Sequence, residues 1–162
     1  MKFYILFIAL IFAVIKCSDL ENAPPLTWHD RSELERRARD EHWHVLFVSF
    51  RKKVLEKWSV DKISHKLLKD FQEEGTAPWK QNSFYKVSDR EIAIVLAQMT
   101  DIVETKRFCV DRKYVYVVEQ HGSRQFGKAV NQEEKDEFYE VLKEEGKREL
   151  IKEKEEKRIK KE

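Results

Sequence analysis

The chain is short of the residues that build sharp backbone geometry: its 162 residues hold four glycines, three prolines and two cysteines. So little glycine argues against backbone-lined anion sites, where the main chain must approach the ligand without a Cβ in the way. Neither a Gly-x-Ser-x-Gly elbow nor the Cys/His spacing of a zinc site is present. No Asn-x-Ser/Thr sequon occurs, so N-glycosylation is not expected. An excess of one charge is missing too, with 32 basic against 30 acidic side chains. That balance argues against bulk binding to nucleic acid or to an anionic membrane.

What the chain does have, at its start, is Met1-Lys2 followed by FYILFIALIFAVI, residues 3–15, without a charge. A basic start, a short apolar run and a polar exit at Lys16-Cys17-Ser18 have the form of a secretory signal peptide. The run is shorter than the roughly 20 residues of a membrane span, and an uncleaved signal anchor is the alternative. Residues 1–17 are therefore expected to be removed and the protein to be secreted, extracellular, with no membrane contact after cleavage. The mature chain would carry 30 basic and 30 acidic side chains and a single cysteine, Cys109. A lone cysteine in an oxidising compartment is a buried thiol, a reactive thiol or half of an intermolecular disulfide.

Residues 18–31, with Pro24-Pro25, read as an extended leader. Ser32-Glu33-Leu34-Glu35 has the form of a capping box. No glycine or proline interrupts the chain from there to Trp58, and Trp43, Leu46, Phe47, Phe50, Val54 and Trp58 recur at three- and four-residue steps. The spacing predicts a long first helix over 32–58. Ser59 caps a second, with Ile63, Leu67, Leu68 and Phe71 on one side and Gly75 as its stop. A loop and a short strand are expected over 76–87. Ser88-Asp89-Arg90-Glu91, with Ile92, Val95, Leu96 and Met99, predicts a third helix. Val103–Val110, Tyr114–Gln120 and Arg124–Val130 have strand composition. Asn131 caps a final helix that becomes almost wholly Lys, Arg and Glu after Gly146.

The expected architecture is α+β: a long N-terminal helix and two further helices on a small curved antiparallel sheet, then a charged C-terminal helix. The domain spans 32–130 and the charged helical tail 131–162. This order resembles the nuclear transport factor 2-like (cystatin-like) α+β cone. "FVSFRKKVLEKWSVDKISHKLLKDF", 47–71, is similar to that family's first two helices, and "VSDREIAIVLAQM", 87–99, to its third. The resemblance implies a sheet wrapped on the long helix. It implies no catalytic residues, because the family holds enzymes and binding modules alike.

His42 and His44 flank Trp43. On a helix, positions two apart diverge by about 200°, so the pair is not expected to share a metal. His44 faces the apolar flank and His42 the solvated one. The candidate acid–base residues are His44, His65 and His121, with Asp70, Asp101 or Glu119 as carboxylate partner. Trp43, Phe47 and Tyr116 are candidates to line an apolar pocket. No metal and no cofactor are expected. The reading is a non-catalytic module for a protein or a small apolar ligand, and a dimer through Cys109 or the sheet is open. The alternative is a small lyase-, isomerase- or hydrolase-type enzyme with a histidine–carboxylate pair.

Overall fold

β-Branched and aromatic residues crowd HVLFVSF, and in the computed structural model His44–Phe50 is a strand, β1. The structure describes residues 25–74 and 83–159, with side chains to residue 148. The chain divides into two units, residues 1–129 and 130–162. The apolar run 3–15, Cys17, and the stretch from Gly75 through Trp79 lie outside the described residues.

The helix expected over 32–58 is therefore broken in three. Arg31–Glu41 is α1, capped by Asp30, whose carboxylate accepts from the backbone N–H groups of Ser32 and Glu33. Bonds from Ser32, side chain first, and from Glu33 hold the Asp30 carboxyl below its ordinary range. The helix stops because His42 turns left-handed, at φ 57°, and the N–H groups of His42 and Trp43 both return to the Ala38 carbonyl. After β1, Lys52–Leu55 forms a single helical turn, α2. Periodicity misleads where nearly every residue is apolar, because a continuous run satisfies a helical stripe and a buried strand equally.

Val60–Glu73 is α3, started by the Ser59 hydroxyl accepting from the Lys62 N–H, and it buries Ile63, Leu67, Leu68 and Phe71. Phe84–Lys86 is β2 and Glu91–Leu96 is β3. The third helix expected over 88–99 is thus replaced by β3. Ser88 serves the β2–β3 turn instead, its hydroxyl accepting from the Arg90 N–H at 3.1 Å. Met99–Val110 is α4, where strand Val103–Val110 was expected. Its buried Ile102, Thr105, Phe108 and Cys109 sit at steps of three, three and one, on a helical face. Val115–Gln120 is β4, and Ser123–Phe126 is β5, shorter than the expected Arg124–Val130. The segments 47–71 and 87–99, which carry the family resemblance, accordingly contain β1 and β3 where helices were expected.

Among the described residues the five strands pair antiparallel, in the order β2-β3-β1-β4-β5, so β1 is the central strand. From β1 to β4 the elements run β-α-β-β-α-β, counting the longer helices, which is the split βαβ (ferredoxin-like) connection pattern. Proteins of many functions share it, so function must come from the site. Leu46, Val48 and Phe50 face a core with Ile63, Leu67 and Ile102 of α3 and α4. Val45 and Phe47 point to the other face, against Leu34 and Ala38 of α1. Coverage on both faces is why β1 shows no polar alternation. Residues ahead of α1 cover the outer edge of β2: the Lys86 N–H donates to the Thr27 carbonyl and the His29 N–H to the Lys86 carbonyl, each at 2.9 Å.

The second unit holds the charged helix α5, Gln132–Ile159. Asn131 and Glu134 form a reciprocal capping box: the Glu134 N–H donates to Asn131 Oδ1 at 2.8 Å, and the Asn131 N–H to Glu134 Oε2 at 3.1 Å. Of the side-chain pairs along it, Lys147 reaches Glu144 at 2.8 Å.

Candidate functional site

The face of the sheet under α1 is not purely apolar. Its register sets Glu91 of β3 beside Ser49, and Glu119 of β4 beside Phe47 and Arg124. Two carboxylates would be costly there without partners. Arg31, the first residue of α1, supplies one. Its guanidinium pairs with Glu91 at 3.4 Å, with Glu119, and with Glu35 at 3.4 Å, while lying 4.0 Å over the Phe47 ring. Arg124 takes the other Glu119 oxygen at 2.7 Å. The Ser49 hydroxyl donates to Glu91 at 3.2 Å. Burial nevertheless pushes the Glu91 carboxyl above its ordinary range, against the pull of Arg31 and Ser49.

Beside this anchor opens a cleft of about 820 Å³, between the C-terminal half of α1, the start of β1 and the β4–β5 turn. Ala38, Val45, Phe47 and Trp43 give it apolar walls; Glu35, Arg39 and Glu119 are its charged lining. His42, His44 and His121 all line it. The expected separation of His42 from His44 is thus corrected: with a strand starting at His44, the helix-cap residue and the first strand residue reach the same space. His44 is half-buried, His42 and His121 are exposed, and Trp43 is 36% exposed. The Arg37 guanidinium sits 6.0 Å from the Trp43 ring.

His121 arrives by a tight turn. Gln120 pairs with Ser123, leaving His121 and Gly122 as a two-residue loop with φ 49° and 78°. Positive φ at both positions is the requirement of a type I′ hairpin. A side chain at Gly122 would meet no atom within 4 Å, so the constraint there is conformational rather than steric.

The remaining candidates lie elsewhere. His65 is half-buried on α3, its Nδ1–H donating to the Asp61 carbonyl at 3.0 Å. Asp70 accepts from Lys66 at 2.8 Å and from the Tyr114 hydroxyl at 2.8 Å. Burial, then the Asp70 carboxylate, pushes the Tyr114 hydroxyl far above its ordinary range. Asp101 sits in the first turn of α4. Tyr116 is half-buried and packs edge-on to Phe126, with ring centroids 6.0 Å apart. Cys109 is free and fully buried in α4 rather than in a strand, and burial pushes its thiol up to about 12.

Of the suspected residues, then, His44, His121, Trp43, Phe47 and Glu119 come together, and His65, Asp70, Asp101 and Tyr116 do not join them. Both Glu119 oxygens are engaged by arginine, which opposes its use as the partner of a catalytic histidine. Among the described residues, no three His, Cys, Asp or Glu side chains are grouped to hold a metal ion, and no helix is long and apolar enough to cross a membrane. The sequence reading missed Arg31, Arg39 and Arg124. A signal for one existed: opposite charges at Glu119 and Arg124 flank a Gly-containing turn, as cross-strand partners do. No family model matches the chain, and no similar curated protein is found.

Proposed function

We propose that the chain is a small secreted α+β module that binds, without chemistry, a small and largely apolar ligand in the cleft beside Trp43. The observation that supports it is the cleft itself. About 820 Å³ lies within the range of small-molecule sites, roughly 300–1,000 Å³, and the mix of apolar wall and a few polar groups is typical of them. The apolar run at residues 3–15 supports export. A second reading, acid–base catalysis by His44 or His121, draws on the same cleft. The arginine engagement of Glu119 weighs against it.

The test is calorimetric titration with naphthalenemethanol, a neutral aromatic probe. Binding is expected, with about tenfold loss in Trp43→Ala and no change in His65→Gln. Absence of binding, or equal affinity in Trp43→Ala, overturns the reading.

A further inference from the structure

Three histidines line the cleft, and they come from three separate places in the chain: the cap of α1, the first residue of β1 and the tip of the β4–β5 turn. Two of them stand at left-handed backbone positions. Among the described residues, the non-glycine positions with positive φ are His42 and His121. Left-handed φ suits glycine best, and asparagine, aspartate and histidine are the side chains enriched there, so the backbone tolerates histidine at both. What the two positions share is that each lines the same cleft as His44. Sparsely populated backbone conformations cluster at functional sites.

The charges facing the rings decide what those imidazoles would attract. From β4, Glu119 is held by Arg31 and by Arg124 of β5. From α1, Glu35 is paired with Arg31, and Glu41, next to His42, is 3.7 Å from Arg37. Arg39 adds a further cation to the lining. Each lining carboxylate thus already has a guanidinium partner, and protons taken up by the imidazoles would add positive charge to the cleft.

The geometry points to a small anionic amphiphile as the ligand: an acid group among His42, His44 and His121, and an apolar body against Trp43, Val45 and Phe47. Imidazole is the side chain that gains charge between about pH 8 and pH 5, so the anion is held more tightly as the medium acidifies. This deepens the cleft-binding reading above and rests on it.

Naphthalenesulfonate is the probe, because it stays anionic across that range and any pH dependence belongs to the protein. Calorimetry at about pH 5.5 and pH 8 should show the sulfonate binding at least about tenfold more tightly at the lower value. Naphthalenemethanol should bind alike at both. The variant His42→Asn/His44→Gln/His121→Asn, in which asparagine suits the left-handed positions, should lose the pH dependence of the sulfonate. The single variant His44→Gln, on a strand and free of turn constraints, should lose part of it. Equal sulfonate affinity at the two pH values overturns the inference, as does a pH dependence that survives the triple variant. If the alcohol binds and the sulfonate does not, the inference falls and the cleft reading stands. If neither binds, both fall.

Discussion

Replacing Phe50 with alanine is expected to cost about 3–5 kcal/mol of folding stability, the range for emptying a fully enclosed aromatic site. Phe50 is 0% exposed, at the end of the central strand, and its N–H is donated to the Arg90 carbonyl at 2.9 Å. Its ring lies 6.3 Å from that of Tyr114, and it belongs to the core shared by β1, α3 and α4. The neighbours cannot close the gap cheaply, because the core they form draws on two helices and on strands whose registers are fixed. Trp58→Ala, at a position 38% exposed, should cost less than about 1 kcal/mol, as partly exposed positions do. Denaturant unfolding of the two variants measures the contrast. Similar losses would contradict the placement of Phe50 in the core.

Arg31→Ala is expected to cost about 2 kcal/mol. Breaking a fully buried ion pair costs about 3–5 kcal/mol, and two features reduce that here. The Arg31 side chain is 34% exposed, and Arg124 stays on Glu119. The loss should also depend on pH. Burial already raises Glu91, and removing Arg31 raises it further by deleting the main opposing charge. A carboxylate raised in the folded state holds its proton longer there than in the unfolded chain. Stability therefore falls as pH rises from the ordinary glutamate range, about 4.3, through the folded value, and is level above it. The gap between wild type and Arg31→Ala should widen between about pH 4 and pH 7. Comparing the two proteins cancels the opposite contribution of Asp30 and Asp111, whose carboxyls are lowered in both. Adding Glu91→Gln should recover part of the loss and flatten the difference. A gap independent of pH would contradict the account of Glu91.

The α+β class, α3 with its Ser59 cap, β4, and the Asn131 box of α5 were legible in the residues. Each has a local signal: a capping side chain, a clear amphipathic face or a run bounded by turns. The failures share one cause. HVLFVSF and EIAIVL are buried on both sides of the sheet, so neither shows the alternation that marks a half-exposed strand. Their apolar positions then matched a helix as well as a strand. In α4 the β-branched Ile102, Val103, Thr105 and Val110 carry strand propensity, and packing against the sheet overrides it. At the site, histidines were visible as suspects but their meeting was not. It depends on where α1 ends, which His42 decides by one left-handed residue. Arg31 gave no local sign beyond its i,i+4 spacing to Glu35, since its partners on the sheet, Glu91 and Glu119, lie 60 and 88 residues away.

The central claim is that His42, His44, His121 and Trp43 line one ligand cleft. Amide and imidazole shift mapping of the full chain titrated with naphthalenesulfonate at about pH 5.5, where imidazole gains its charge, tests it most directly. The account predicts perturbations at Trp43, at the three histidines and at Gly122, with His65 and Asp70 unmoved. Perturbations centred on α3 around Asp70 and Tyr114, or none at the three histidines, would contradict it.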